Sequence, residues 1–319
     1  MSGLTWLQRS RRATVIGLAL ALSIVTGGVA LAASSAWTFT PQKAAQITNI
    51  DVLRHQIKSY YNVPDAATGA SGTWDAALKM DSNYAREAES VAAAGGRWLA
   101  ARAGTSSMQA IVLDVDDTTL TTWNYELFSN WDYNPGTNAV FVGLGNPPAS
   151  SSTFTGNMFP ATPGMVAMVN KAHDLGYAVF FITGRGDSQH DATIANLVSD
   201  VAAGFPDITS VTYSGKTVPE IDAGYVMPTA IDTGHGGFAD GLFTKPDPAD
   251  YPQYLVDECG TTNGVNNKCS TIQYKSATRE YIESQGYDIV ASFGDQYSDL
   301  LGGYADKTFK MPNPNYYLP

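Results

Sequence analysis

The sequence predicts an α/β fold: a doubly wound parallel sheet, preceded by a helical extension and interrupted by a small irregular insert. Three observations carry this. Short continuous apolar runs recur after residue 108, as expected of strands buried on both faces. Helix-period stretches alternate with them, which implies strand–helix–strand units and parallel pairing. Three of the runs also discharge polar residues at their C-terminal ends, the edge at which such sheets bind ligands.

In chain order, residues 1–32 predict a cleaved export signal. Arg9, Arg11 and Arg12 form its positive region, residues 15–31 its apolar run, and Ala30-Leu31-Ala32 a small-x-small cleavage pattern. A retained anchor is the alternative, the run being barely long enough to span a bilayer. Residues 33–107 read as the helical extension. Ile50, Val52, Leu53, Ile57 and Tyr60-Tyr61 recur at helix spacing, and residues 74–99 are Ala-rich with an interruption at Gly95-Gly96. Residues 108–319 form the core, opening with the strand 110–113. Residues 121–160, aromatic and rich in Gly, Pro and Asn, are the insert. A helix follows Pro163, which suits a first helical position, and stops at Gly176. Residues 178–182 form the second strand, 194–201 a helix, and 211–213 and 242–243 further short strands. Residues 276–285 form a helix ended by Gly286, and 289–293 the last strand.

The chain of 319 residues carries 30 Asp+Glu against 19 Lys+Arg, a formal net charge of −11. That balance, with no Lys/Arg cluster to offset it, excludes nucleic acid as a partner. Cys259 and Cys269 bracket a polar Gly/Asn stretch with no His or further Cys nearby, so an exported chain is expected to pair them as a disulfide rather than use them for a metal.

The three strand ends read Asp114-Val115-Asp116-Asp117-Thr118, Thr183-Gly184-Arg185-Gly186 and Gly294-Asp295-Gln296-Tyr297-Ser298-Asp299, with Lys275 opening the helix before the last. Of two carboxylates two residues apart, one can attack phosphorus while the other, protonated, hands a proton to the departing oxygen. Crowded carboxylates call for a hard divalent cation such as Mg²⁺, with Asp295 and Asp299 completing the cage around Asp114 and Asp116. The Thr183 hydroxyl, the Gly184 N–H and the Lys275 ammonium suit the oxygens of a transferring phosphoryl group.

These pieces resemble the haloacid dehalogenase (HAD) superfamily, defined by an Asp-x-Asp-x-Thr loop, a strand-terminal Thr/Ser, a Lys and an acidic Gly-Asp-x-x-x-Asp loop. Within it the chain is similar to the class B acid phosphatase-like branch that includes plant acid phosphatases and vegetative storage proteins. Phe181-Ile182-Thr183-Gly184-Arg185, Tyr274-Lys275-Ser276, Gly294 to Gly302 and Phe309-Lys310-Met311-Pro312-Asn313-Pro314 carry the similarity. The resemblance implies a Rossmann-like HAD core in which Asp114 is the nucleophile and Asp116 the general acid/base. It implies that Thr118 supports the loop, that Thr183, Gly184 and Lys275 hold phosphate, and that Asp114, the Asp116 backbone and Asp295 bind Mg²⁺. Asp299 would be a nearby acidic ligand or orienter, and the insert a first cap. The expected function is a secreted, Mg²⁺-dependent acid phosphatase acting on small phosphate monoesters, with no membrane partner after signal cleavage. A storage protein on the same scaffold and a phosphotransferase are the alternatives; Asp116 argues against a dehalogenase.

Single motifs have plainer readings. Asp-x-Asp-x-Thr alone is a turn, and a calcium loop fails because Thr119 and Tyr125 stand where Gly and Glu are required. Trp123, Tyr125, Trp131 and Tyr133 read as packing for the insert rather than as a stack for a leaving group. His235, among glycines, reads as part of a flexible surface loop. Arg185 either touches substrate or braces the loop through a carboxylate.

Overall fold

The computed structural model describes residues 43–63, 78–142, 159–198, 210–213, 216–219 and 223–317; the expected signal segment lies outside them. Two units divide at residue 53, and the second, residues 54–319, holds everything that positions the site.

Helix α1 (Ile50–Tyr60) is followed by α2 (Asn83–Arg102), whose N-terminus is capped by the Ser82 hydroxyl accepting from the Ala85 N–H at 3.0 Å. The buried positions Tyr84, Ala85, Ala88, Ala92, Gly95 and Leu99 recur every three or four residues, so one stripe faces the sheet. The expected break at Gly95-Gly96 does not occur. The helix runs through, and Gly95 lies where a Cβ would come within 2.5 Å of the Phe293 ring. The glycine is there for close packing on the sheet, at a cost in helix propensity of about 1 kcal/mol.

Strand β1 (Gln109–Leu113) is buried along its whole length. The insert contains helices α3 (Trp123–Ser129) and α4 (Pro135–Val142), so its first half is more regular than its composition suggests; residues 143–158 lie outside the description. Helix α5 (Met165–Asp174) begins two residues later than Pro163 implied, because Gly164 takes the cap position at φ +81°. Strand β2 (Ala178–Gly186) leads to α6 (His190–Leu197). Strands β3 (Ser210–Tyr213) and β4 (Lys216–Pro219) pair antiparallel with each other, outside the main sheet. Then come β5 (Leu242–Lys245), α7 (Gln253–Cys259) and a two-residue ribbon of β6 (Thr261–Thr262) and β7 (Val265–Asn266). That ribbon lies within the loop closed by the Cys259–Cys269 disulfide, the expected pairing. Helix α8 (Thr271–Ser284), strand β8 (Asp288–Gly294), the short α9 (Tyr297–Leu300) and β9 (Thr308–Lys310) end the fold. Helix α8 starts five residues before the sequence placed it, at a capping box between Ser270 and Gln273. Lys275 therefore sits one turn inside the helix rather than at its start.

The main sheet is five-stranded and parallel throughout, in the order β5-β2-β1-β8-β9. Alternate residues of each strand feed two cores. Ile111, Leu113, Val179, Phe181 and Phe293 pack toward α2 and α5, while Ala110, Val112, Phe180, Ile182 and Phe243 pack toward α7 and α8. The chain moves outward from β1 through β2 to β5, then returns to lay β8 on the other side of β1. The order of connection reverses between β1 and β8, and a doubly wound sheet opens a crevice at such a point.

Candidate active site

Asp114 follows β1 and Asp295 follows β8, so the two acids leave adjacent strands at the point of reversal. The Asp114 N–H donates to the Phe293 carbonyl at 3.0 Å, continuing the ladder to the last residue before the loops. Asp114, Asp295 and Asp299 are all buried, and one carboxylate oxygen from each lies within 4.8 Å of the others. Gly294 makes this possible: a Cβ there would lie 2.1 Å from Cβ of Asp299.

Lys275 reaches into this cluster from α8. Its Nζ donates to Asp114 Oδ1 at 2.5 Å and also to Asp299 Oδ1. Burial alone would lower the lysine pKa, but the two carboxylates outweigh it and raise it, so the ammonium stays charged. The acids respond to the same burial. The Asp114 pKa is raised by loss of solvent against the opposing pull of Lys275, with Asp299 and Asp295 adding like charge. Asp295 is pushed up to about 7 by burial and by Asp299. With all three carboxylates ionised, as ligands of a cation would be, one lysine would leave an excess of two negative charges. That donor set, all oxygen and short by two positive charges, fits a hard divalent cation.

The loop after β1 is fixed by the Asp117 carboxylate, which binds Thr122 five residues on. Asp117 adopts φ +51°, a conformation short polar residues tolerate, and its carboxylate accepts from the Thr122 N–H at 2.9 Å and hydroxyl at 2.5 Å. Burial pushes the Asp117 pKa up to about 6 against those donors. Thr118 is buried, and its hydroxyl donates to Asp295 Oδ1 at 3.2 Å, a tie between the two strand ends.

Asp116 lies on the wet side of the same loop, with its side chain 30% exposed. Arg185 grips it with two parallel bonds, Nη2 to Oδ1 at 2.6 Å and Nε to Oδ2 at 3.1 Å, while Nη1 donates to the Thr193 hydroxyl at 2.9 Å. Of the two roles open to Arg185, the structure shows the brace. The Asp116 carboxylate thus points to Arg185 and not into the three-acid cluster, so its side chain does not complete the cage with Asp114, Asp295 and Asp299; the cation contact that the family resemblance implies is one of the Asp116 backbone. Thr183 is buried and its Oγ1 accepts from the Arg185 N–H at 3.2 Å, which leaves its hydroxyl hydrogen available to a ligand. Beside it, Gly184 is exposed, and a Cβ there would meet nothing within 4 Å.

The order of strands and this convergence of acids meet a decisive comparison: the sequence profile of the HAD superfamily, subfamily IIIB (Acid phosphatase), matches residues 22–217 and 260–319. The chain belongs to this family. Among curated relatives, the Stem 28 kDa glycoprotein of Glycine max is 53% identical over 51 residues, 15% of this chain and 20% of that protein. Vegetative storage protein 1 of Arabidopsis thaliana is 42% identical over 53 residues, 17% of this chain and 20% of that one. Acid phosphatase 1 of Solanum lycopersicum is 26% identical over 160 residues, 50% and 43% of the two chains. The chain thus spans less than half the length of these relatives. Among solved structures, the class C acid phosphatase from Bacillus anthracis aligns at 19% identity and TM-score 0.41, over 72% of this chain and 80% of that one.

In this subfamily IIIB chain, Asp114, Thr118, Lys275, Asp295 and Asp299 are in one contact network, and Asp116, Thr183 and Arg185 in a second beside it. Several contributors were not singled out by the sequence reading. Arg279, buried on α8, donates to the carbonyls of Asp299 at 2.9 Å, Gly303 at 2.8 Å and Leu301, and so holds the last acidic loop. Its spacing of four from Lys275 on one helix was the available signal. Glu126 on α3 is buried near Asp117 and Asp116, and burial lifts its pKa to about 8. His235 is not on a flexible surface. It is buried, with Nδ1 3.2 Å from the Thr233 carbonyl and Nε2 3.1 Å from that of Thr244, because the loop folds back under β5. Trp123 is fully buried, stacked on Tyr61 at 3.9 Å, and so packs the insert as expected. Tyr125 is also buried, whereas Tyr133 is 71% exposed.

Proposed function

We propose that the protein is an acid phosphatase that hydrolyses small phosphate monoesters through an aspartyl-phosphate on Asp114, with a divalent cation such as Mg²⁺. The observation that carries this is the burial of Asp114, Asp295 and Asp299 around Lys275 at the switch point of the sheet.

Asp114, Asp295 and Asp299 would hold the cation, which when bound neutralises their excess charge and that of the substrate phosphate. An Asp114 oxygen attacks phosphorus in line with the ester oxygen. Lys275 Nζ, the Thr183 hydroxyl and the Gly184 N–H receive the equatorial oxygens, where charge accumulates. Asp116, on the solvent side, delivers its proton to the departing alkoxide, so the P–O ester bond breaks as the P–O bond to Asp114 forms. Asp116 then takes a proton from a water that attacks the phosphorus, releasing inorganic phosphate and restoring Asp114. Arg185 fixes which way Asp116 points through its two parallel bonds.

Export through the N-terminal signal and work outside the cell complete the proposal, supported by the disulfide. Among the described residues no helix is long and apolar enough to cross a membrane. A storage role on the same scaffold gives no reason for a buried lysine between two acids. Purified protein with Mg²⁺ and p-nitrophenyl phosphate tests the proposal. Turnover should require the cation and fall by at least about 10³-fold in Asp114→Asn; undiminished turnover in that variant overturns it.

A further inference from the structure

The Asp295 carboxylate is held by a remote part of the chain. Its Oδ2 accepts from Gln296 Nε2 at 2.6 Å and from Asn313 Nδ2 at 2.6 Å, and its Oδ1 from the Thr118 hydroxyl at 3.2 Å. An ionised carboxylate offers about four lone-pair directions. Two amides occupy both on Oδ2, and the threonine takes one on Oδ1, so a single direction is left for a cation.

Asn313 is itself locked. Its Oδ1 accepts from the Asn315 N–H at 2.8 Å, which turns the amide donor end toward Asp295. The segment is fixed at its start by Met311, fully buried, whose N–H donates to the Gly294 carbonyl at 2.8 Å. At its far end Asn315 Nδ2 donates to the Tyr61 hydroxyl at 3.0 Å and its Oδ1 accepts from Trp131 Nε1 at 3.4 Å. Tyr61 is in turn stacked between Tyr84 at 4.4 Å and Trp123 at 3.9 Å. Tyr316 follows, its carbonyl 3.4 Å from Gln296 Nε2. The extension, the insert and the C-terminal segment therefore meet on one acid of the site.

We infer that residues 313–316 are a strap that sets the ligating oxygen of Asp295, with Asn313 as its positioning residue. The inference rests on the proposed function only for the purpose of Asp295. Its chemistry is that of a second partner orienting a cation ligand, a contact whose loss typically weakens metal affinity 10- to 100-fold. Asp299, by contrast, is oriented within its own loop by the Gln296 N–H at 2.8 Å and by Lys275, and needs no such strap.

The experiment titrates Mg²⁺ alone into full-length wild type, Asn313→Ala and Asn315→Ala by calorimetry. It then measures, in the same proteins, the Mg²⁺ requirement and KM for p-nitrophenyl phosphate. Asn313→Ala should weaken Mg²⁺ binding by about 10-fold or more, with KM at saturating Mg²⁺ changed by less than about twofold. Asn315→Ala should act in the same direction by a smaller factor. Should the alanine variant not fold, Asn313→Leu keeps the side-chain size, removes the donor without adding charge, and carries the same expectation. Wild-type Mg²⁺ affinity in a folded Asn313 variant overturns the inference and leaves the phosphatase reading standing, as does a raised KM with no change in Mg²⁺ affinity. A wild type that binds Mg²⁺ without hydrolysing the ester sinks the phosphatase reading alone.

Discussion

Gly294→Ala is the smallest change that should break the site. The added methyl would lie 2.1 Å from Cβ, 2.7 Å from Cγ and 2.5 Å from Oδ2 of Asp299. Carbon atoms pack at about 3.5 Å, so Asp299 must retreat by more than about 1 Å. It cannot do so alone, because its Oδ2 accepts from the Gln296 N–H at 2.8 Å and its Oδ1 from Lys275. Overpacking of this kind costs about 1–3 kcal/mol, which for a chain of this size lowers Tm by roughly 1.5–4.5 °C. A displacement of about 1 Å among catalytic groups costs about 10²-fold in rate. Turnover of p-nitrophenyl phosphate at saturating Mg²⁺ and a melting curve read both effects. A Gly294→Ala protein within twofold of wild type in kcat/KM, with unchanged Tm, would refute the packing argument and the role given to Asp299.

Arg185→Lys should preserve charge and lose the two-pronged grip on Asp116. We expect kcat/KM to fall about 10- to 100-fold on alkyl phosphates and less on aryl phosphates, whose leaving groups need no proton; equal losses on both would argue against the brace. Glu126 tests the buried acid beside the loop. Its folded pKa of about 8 exceeds the unfolded value of 4.5, so the unfolded chain releases that proton first and stability falls as pH rises between the two. Glu126→Gln should therefore gain in Tm over wild type as pH is raised from about 4.5 to 8, and a constant difference across that range would contradict it. Replacing Cys259 and Cys269 by Ser should cost about 2–3 kcal/mol for the short closed loop, seen as a lower Tm with turnover at 25 °C intact. Loss of turnover in the folded variant would place that loop nearer the chemistry than the structure does.

The strand ends were legible because parallel strands buried on both faces announce themselves as apolar runs, and their first polar residues fall at one edge. Residues 110–113, 178–182 and 289–293 are of this kind, and so the sequence alone puts Asp114, Thr183 and Asp295 at strand ends. Strand β9, three residues long with Thr308 and Lys310 exposed, has no such run to declare it. The β3–β4 hairpin shows the opposite limit: residues 211–213 read as a strand, but nothing local said that their partner lay outside the main sheet. Contacts across long stretches of chain were the least legible. Asn313 and Asp295 meet only because β8 and β9 lie side by side, and Arg185 finds Asp116 only because β2 flanks β1. Gly95 misled in an instructive way, since helix propensity marked a break where packing against Phe293 required a missing side chain.

The sheet order has a consequence for biosynthesis. Strand β1 lies at the centre, yet one of its two neighbours, β8, is translated about 180 residues later. Until residues 288–294 emerge, one flank of β1 offers bare amide and carbonyl groups to any other extended segment. A growing polypeptide consequently carries Asp114 without Lys275, Asp295 or Asp299 while about 160 further residues are added. It is most prone to mispairing in that interval, and the three-acid cluster cannot assemble before Asp299 emerges.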